Sequence, residues 1–184
     1  MKILCACECS QVLTSAFLHS GFNAFSCDLS DSFGNYPERH FKCDVFQIIN
    51  DFDFVFAFPP CTHLTFANGA HLGEKLADGR TFQGLQFVER LFNQPNLKML
   101  ENPLGVIPKY LKRPYSQIVS PDDFGSTKKK RTCLWLFGLP LLLPTTCRSG
   151  KSWIQSIGSF DFRRSILDEF LARAMVNQWG EYLK

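Results

Sequence analysis

The stretch Phe54-Val55-Phe56-Ala57-Phe58-Pro59-Pro60-Cys61 decides the fold class of this chain. Five consecutive apolar residues are typical of a strand that is buried on both faces of a parallel sheet. The two prolines cannot donate hydrogen bonds to a strand ladder, so they end the strand. Cys61 is therefore expected in the loop at the carboxyl end of this strand.

Strand-like and helix-like segments alternate on both sides of this stretch. We expect further strands at 2–7, 22–27, 41–43, 97–100, 115–119 and 132–137. The apolar spacing of residues 12–17 predicts a helix over 12–19, and Gly21 is a helix stop. This alternation predicts a single α/β domain over residues 1–184 with a mostly parallel central sheet flanked by helices.

Two more helices are predicted in the second half of the chain. After a loop over 62–79, one helix face is marked by Phe82, Leu85, Val88 and Leu91, and Pro95 ends that helix. Near the C-terminus, Ser165 followed by Asp168 is a capping signal. The helical stripe behind it consists of Leu167, Phe170, Leu171, Ala174 and Met175.

Composition and charge narrow the class of protein. The chain has 184 residues, of which 45% are hydrophobic and 20% charged, and this excludes a largely disordered chain. Residues 98–151 carry 10 Lys/Arg against 3 Asp/Glu, so the positive charge is concentrated in one stretch. The longest apolar run, 133–143, is too short for a membrane span. The eight cysteines have no C-x-x-C spacing, so we expect a cytoplasmic protein without disulfides or a metal site.

Chemically capable side chains follow consecutive predicted strands: Glu8, Asp28, Asp44, Cys61 and Glu101. In open α/β sheets, ligands bind outside the carboxyl ends of the strands. Asp28 has the spacing of a residue that accepts bonds from ribose hydroxyls, although a loop aspartate fits equally well. Asp44 fits either a nucleoside amino group or the cap of a helix that begins near Val45. The first turn lacks G-x-G-x-x-G, which argues against a dinucleotide with its pyrophosphate and leaves a nucleoside cofactor without phosphates, such as S-adenosylmethionine, as an alternative.

Cys61 and Glu101 together suggest chemistry on a pyrimidine ring. A thiol can add to a ring carbon while a carboxyl group with a raised pKa protonates the neighbouring nitrogen. The alternatives are a packed thiol and an exposed turn acid. The basic run 128–131 is either a solvated turn or a contact to a base or phosphate. His63 and His71 are either loop residues or substrate contacts.

These segments together resemble the cytosine-C5 DNA methyltransferase family, and most closely a short phage and bacterial branch that lacks a target-recognition domain. The resemblance covers residues 2–11, 26–28, 43–45, 58–62, 101–103, 124–135 and 174–179. It implies a Rossmann-like methyltransferase fold, S-adenosyl-L-methionine as cofactor and cytosine in DNA as substrate.

The resemblance also implies a role for each matching residue. The catalytic residues would be Cys61 as nucleophile, Glu101 at cytosine N3, Asn102 holding the loop, and Arg131. The cofactor would contact Cys7, Glu8, Ser10, Asp28, Asp44, Val45 and Pro59. The substrate would contact Pro60, His63, Lys129 and Lys130.

The sequence departs from this family at two places. The first turn has Cys9, Ser10 and Gln11 where the family has glycines, and the target-recognition domain is missing. The chain is therefore expected to act on DNA, including single strands, or on free pyrimidine nucleotides; a non-catalytic binder of cofactor or nucleic acid is the remaining alternative. Amino-directed DNA methyltransferases fit poorly, because Phe58 and Cys61 replace the polar and aromatic residues that flank their prolines.

Overall fold

A seven-stranded sheet forms the centre of the molecule. The computed structural model describes residues 1–66, 72–146 and 166–184. The strands are β1 Lys2–Ala6, β2 Asn23–Asp28, β3 His40–Lys42, β4 Phe54–Ala57, β5 Leu97–Pro103, β6 Gln117–Val119 and β7 Thr132–Leu136. Their order is β3-β2-β1-β4-β5-β7-β6, with β1 to β5 parallel and β7 antiparallel to both neighbours. The predicted α/β class with a mostly parallel sheet is confirmed.

Helices flank this sheet. They are α1 Val12–His19, α2 Leu72–Ala77, α3 Arg80–Phe92, α4 Ile107–Tyr110 and α5 Glu169–Trp179. None of these described helices has both the length and the apolar character that crossing a membrane requires.

The central strands are buried on both faces, as the apolar run at 54–58 predicts. In β1, Ile3 and Cys5 belong to one apolar cluster, whereas Leu4 and Ala6 belong to another. The first cluster includes residues of α1 and α5, and the second includes residues of α3. Because successive side chains of a strand point to opposite faces, two separate clusters place helices on both sides of the sheet.

The end of α1 shows how local sequence fixes an element boundary. Gly21 has φ of 81°, a left-handed conformation that glycine adopts without steric cost. The amides of Phe22 and Gly21 donate to the carbonyls of Phe17 and Leu18, both at 3.0 Å. This pair of bonds satisfies carbonyls that the last helical turn leaves open. The predicted helix over 12–19 and its stop at Gly21 are confirmed.

The buried face of α3 differs from the predicted one at its first turn. Leu85, Val88 and Leu91 are buried as expected, but Phe82 is 52% exposed. Thr81 takes the inward position instead and is fully buried. The prediction for Phe82 is wrong, because apolar character alone does not show that a side chain is buried.

Other boundaries also differ from the sequence prediction. The predicted loop over 62–79 contains α2, and His71 lies outside the described residues. The last helix begins at Glu169, and Asp168 is its N-cap, accepting a bond from the Phe170 amide at 3.0 Å. Ser165 lies outside the described residues, and Phe170 is 47% exposed rather than part of the buried stripe.

Candidate active site

The carboxyl ends of the parallel strands form one edge of the sheet, which we call the carboxyl edge. The strand order reverses between β1 and β4, and such a switch point is where doubly wound sheets bind ligands. Because β7 is antiparallel and Thr132 pairs with Pro103, the basic segment that precedes β7 reaches the same edge. The topology therefore places the loops after β1, β2, β3 and β4 and residues 128–131 along the same edge of the sheet.

The loop that carries Cys61 is tightly held by the sheet. The Phe58 amide donates to the Ala6 carbonyl at 2.9 Å, and the Asn102 side-chain nitrogen donates to the Pro59 carbonyl at 2.9 Å. The Cys61 carbonyl accepts bonds from the amides of Leu64 at 2.9 Å and Thr65 at 3.0 Å. Cys61 itself is half-buried, and these bonds fix its backbone at the carboxyl end of β4.

Glu101 lies within β5 rather than in a turn beyond it. The residue before it, Leu100, pairs with Ala57 at the end of β4. Its carboxylate is half-buried and accepts a hydrogen bond from the Thr132 hydroxyl of β7. Burial raises the pKa of Glu101, and the charge of Lys130 and the Thr132 bond oppose this rise. The interpretation of Glu101 as an exposed turn acid is therefore wrong.

Cys61 and Glu101 share one electrostatic environment. Burial raises the pKa of the Cys61 thiol most, and the negative charge of Glu101 raises it further. The positive charges of Lys130 and Lys75 lower the same pKa. The charges of Glu101, Lys130 and Lys75 therefore all act on the Cys61 thiol.

Asn102 connects the two halves of this arrangement. It is fully buried, and its position next to Glu101 in β5 directs its amide towards the loop after β4. Its side-chain oxygen is buried without a hydrogen-bond partner. A buried unpaired oxygen costs free energy, so this residue maintains the Pro59 contact at some expense to stability.

Lys75 is a member of the site that the sequence analysis missed. It lies on α2, is only 7% exposed, and donates from Nζ to the Thr62 carbonyl at 2.8 Å. A buried ammonium group is costly unless it is paired, so its position beside the Cys61 loop is specific. No local signal marks it, because the contact depends on how α2 folds back over residues 13 positions earlier.

His63 belongs to the same loop as Cys61. Its carbonyl accepts a bond from the Thr81 hydroxyl at 3.1 Å, and its Nδ1 is buried without a hydrogen-bond partner. Burial lowers the pKa of His63, and the charges of Lys75 and Arg80 lower it further. The imidazole is therefore neutral at pH 7. Pro60, the other loop residue predicted to contact substrate, is exposed.

In the basic segment, Lys130 is the residue directed towards the site. Its charge acts on both Cys61 and Glu101, and it is half-buried. Lys129 and Arg131 are exposed. Lys128 forms an ion pair of 3.5 Å with Asp168, the N-cap of α5. Of the predicted residues Lys129, Lys130 and Arg131, Lys130 is therefore the one whose charge acts on Cys61 and Glu101.

The loop after β1 contradicts the predicted role of Glu8. The Glu8 carboxylate is buried and accepts bonds from the Leu13 amide at 2.6 Å, the Thr14 amide at 3.1 Å and the Thr14 hydroxyl at 2.7 Å. These donors belong to the first turn of α1, where a carboxylate satisfies open amides and the helix dipole. Glu8 caps a helix and does not present its carboxylate to a cofactor.

The missing glycines do not prevent left-handed backbone in the first turn. Cys7 and Gln11 have φ of 59° and 57°. Gln11 is fully buried, and its side chain donates to the Tyr36 carbonyl at 2.7 Å and accepts from the Tyr36 amide at 3.0 Å. These bonds hold the turn against the loop after β2. Ser10 is half-buried beside it.

Asp28 and Asp44 both lie close enough to Cys7 for their charges to act on it. Their negative charges both raise the pKa of the Cys7 thiol, after burial as the largest cause. One oxygen of Asp28 accepts from the Ser30 amide at 2.9 Å, and one oxygen of Asp44 accepts from the Phe46 amide at 3.0 Å. Each carboxylate therefore uses one oxygen to accept a bond from a nearby backbone amide and has a second oxygen besides it. Val45, also predicted to contact the cofactor, packs its side chain into the core instead.

The comparisons with known proteins give no family assignment. No family model matches the chain, and no curated protein matches its sequence. Within the described residues, no group of three or more His, Cys, Asp or Glu side chains is placed to hold a metal ion.

Proposed function

We propose that this chain is an S-adenosylmethionine-dependent methyltransferase that modifies C5 of cytosine in DNA through a covalent bond from Cys61 to C6. The observation that carries the proposal is the shared environment of Cys61 and Glu101 at the ends of neighbouring strands. A nucleophile and a carboxyl group with a raised pKa are the two groups that activation of a cytosine ring requires.

The residues present suit a nucleoside cofactor. Asp28 and Asp44 each have a carboxylate oxygen beyond the one used locally, and both lie near the switch point of the sheet. Carboxylates accept bonds from ribose hydroxyls and from an adenine amino group, whereas they repel phosphates. S-adenosylmethionine, when bound, supplies an electrophilic methyl group and leaves as S-adenosylhomocysteine.

In the proposed reaction, Cys61 forms and breaks the covalent bond, and Glu101 gives and takes back a proton. Cys61 loses its proton to solvent, and the thiolate forms a bond to cytosine C6 while Glu101 gives its proton to N3. C5 thereby becomes nucleophilic and accepts the methyl group. Loss of the C5 proton to a base, return of the N3 proton to Glu101 and expulsion of the Cys61 thiolate restore the aromatic ring.

Lys130 and Asn102 support these steps without taking part in bond changes. The charge of Lys130 stabilises the Cys61 thiolate, since it lowers the pKa of that thiol. Asn102 fixes the Pro59 carbonyl and with it the direction from which the thiol approaches the ring.

A mechanism-based trap tests the proposal. An oligonucleotide containing 5-fluorocytosine should form a stable covalent adduct with the protein and S-adenosylmethionine, because fluorine at C5 cannot leave as a proton. Cys61→Ala should abolish the adduct, which a mass shift of the intact protein measures. Cys5→Ala, which removes a fully buried thiol of β1 outside the site, is the matched control and should retain it. An adduct in Cys61→Ala, or none in the unaltered protein, would contradict the proposal.

A further inference from the structure

Three large aromatic side chains stay exposed beside the loop that carries Cys61. Phe66, Phe82 and Tyr110 are 55%, 52% and 38% exposed. Aromatic rings gain much free energy from burial, so exposed rings near a site are suited to binding a partner. We call these three residues the aromatic rim.

Hydrogen bonds tie the aromatic rim to the Cys61 loop. The Thr65 amide bonds the Cys61 carbonyl at 3.0 Å, so Phe66 follows directly after the turn that Cys61 begins. The Thr81 hydroxyl bonds the His63 carbonyl at 3.1 Å, which fixes the first turn of α3 and hence Phe82 against the same loop. The rings of Phe82 and Tyr110 meet edge to face, with centroids 6.2 Å apart.

Cations continue the surface away from the rim. Residues 102–121 contain Lys109, Lys112 and Arg113 and no acidic residue, and all three cations are exposed. We call them the basic strip. Lys109 Nζ lies 5.7 Å from the Tyr110 ring centroid, and the Arg113 guanidinium lies 5.1 Å from that of Phe92 at the far end of α3. Tyr110 contacts Phe82 and Arg113 contacts Phe92, so the strip follows α3 over about 15 Å, at 1.5 Å per helical residue.

We propose that the aromatic rim and the basic strip bind single-stranded DNA and deliver a cytosine to Cys61. This inference rests on the proposed function and names its substrate class. Proteins that bind single strands combine a cationic path for the backbone with aromatic side chains on which unpaired bases stack. The strip offers positive charge alone, which complements phosphates, and the rim offers ring faces that a base-paired, stacked duplex cannot use.

Binding of short oligonucleotides to the full chain tests the inference. Fluorescence anisotropy should show that a labelled 15-nucleotide single strand binds more tightly than a hairpin duplex of the same sequence. The double variant Phe82→Ala/Tyr110→Ala should weaken single-strand binding about tenfold or more, since each stacked base contributes measurably. Tyr182→Ala, an exposed aromatic that follows α5, is the control and should bind like the unaltered protein. Equal affinity in the double variant, or tighter binding of the duplex, would overturn the inference.

The basic strip has its own readout. Changing Lys109, Lys112 and Arg113 to Ala should reduce the slope of log affinity against log salt by about 2, because three phosphate contacts are lost. An unchanged slope would overturn the role of the strip. If the rim variant loses self-association while its DNA affinity is unchanged, the surface is a protein interface and the inference fails.

Photocrosslinking of the unaltered protein removes any dependence on how the variants fold. A single strand with 5-bromodeoxyuridine next to the target cytosine should crosslink within residues 80–92 or 104–115, as mapped by mass spectrometry; crosslinks confined to other segments would overturn the inference. The chemistry and the surface fail separately. If no 5-fluorocytosine adduct forms but the rim variant binds single strands more weakly, the proposed reaction is wrong and the proposed binding surface stands. If adducts form normally and that variant binds single strands as tightly as the unaltered protein, the proposed binding surface is wrong and the proposed reaction stands.

Discussion

The side-chain nitrogen of Asn102 donates to the backbone carbonyl of Pro59 across 2.9 Å, joining β5 to the loop that follows β4. The two residues are 43 positions apart in the chain. The accepting carbonyl belongs to the residue two positions before Cys61, so the bond helps to fix where the thiol lies relative to Glu101, the neighbour of Asn102. A bond between a backbone carbonyl and a buried side chain thus helps to position both groups that the proposed reaction uses.

Asn102→Ala should uncouple this loop from the sheet. We expect a loss of about 1–3 kcal/mol in the free energy of unfolding, because the buried Pro59 carbonyl loses its donor. The rate of 5-fluorocytosine adduct formation per folded molecule should also fall. Urea denaturation and a time course of the adduct measure the two effects.

Asn96→Ala is the matched control for this change. Asn96 likewise donates to two backbone carbonyls, those of Ile49 and Phe52 at 2.7 and 2.8 Å, and its oxygen is also buried without a partner. It lies at the opposite end of β5 from Glu101, so its loss should reduce stability without slowing the adduct. A full adduct rate in Asn102→Ala would show that the bond is structural only.

Glu101→Gln should remove the titratable proton of residue 101 while keeping the shape of its side chain. The amide keeps an oxygen that can accept from the Thr132 hydroxyl but cannot exchange a proton with cytosine N3. We expect methyl transfer to fall about 10²- to 10⁴-fold, the usual contribution of a general acid. Because burial raises the pKa of Glu101, methyl transfer by the unaltered protein should fall as pH rises through that pKa, and the variant should lack this alkaline limb. Equal pH profiles for the two proteins would contradict the assignment.

Lys75→Met should show whether the buried ammonium group tunes the nucleophile. Without its charge the pKa of Cys61 should rise, because Lys75 is one of two cations that lower it. The pH profile of Cys61 alkylation by iodoacetamide, read from the Cys61 peptide by mass spectrometry, should shift to higher pH. Lys42→Met, which removes an exposed lysine paired with Asp31, should leave that profile in place. An unshifted profile in Lys75→Met would limit Lys75 to its bond with Thr62.

The strands of this fold could be predicted from the sequence because the local pattern of apolar residues determines where each strand forms. The run 54–58 is apolar without interruption, and Gly21 supplies the conformation that ends α1. Lys75 could not be found in this way, since its burial depends on a contact with Thr62 that only the folded chain creates. The burial of Phe82 is predicted wrongly for a related reason: helical spacing shows that one face is apolar, but it does not show which residues of that face the rest of the fold covers.

Glu8 marks the limit of the strand-end argument for the candidate site. An acid that follows a β1 strand can face a ligand or turn into the next helix, and the residue spacing is the same in both cases. The left-handed backbone at Cys7 and the open amides of Leu13 and Thr14 decide for the helix. Of the predicted cofactor residues, Asp28 and Asp44 therefore carry the proposal.

Buried in this position, Glu8 should make the stability of the protein depend on pH. Burial raises the pKa of Glu8 from 4.5 to about 7, and bonds from Thr14 and Leu13 oppose the rise. An acid whose pKa is higher in the folded state stabilises the protein most below pH 4.5, and this stability is lost as pH rises towards 7. At 1.36 kcal/mol per pKa unit, the loss amounts to about 3 kcal/mol. Urea denaturation between pH 4.5 and 8 should show this decline in the unaltered protein and in the exposed-site control Glu38→Gln, and a much flatter profile in Glu8→Gln. The same decline in Glu8→Gln would mean that another group, and not the cap of α1, controls the pH dependence.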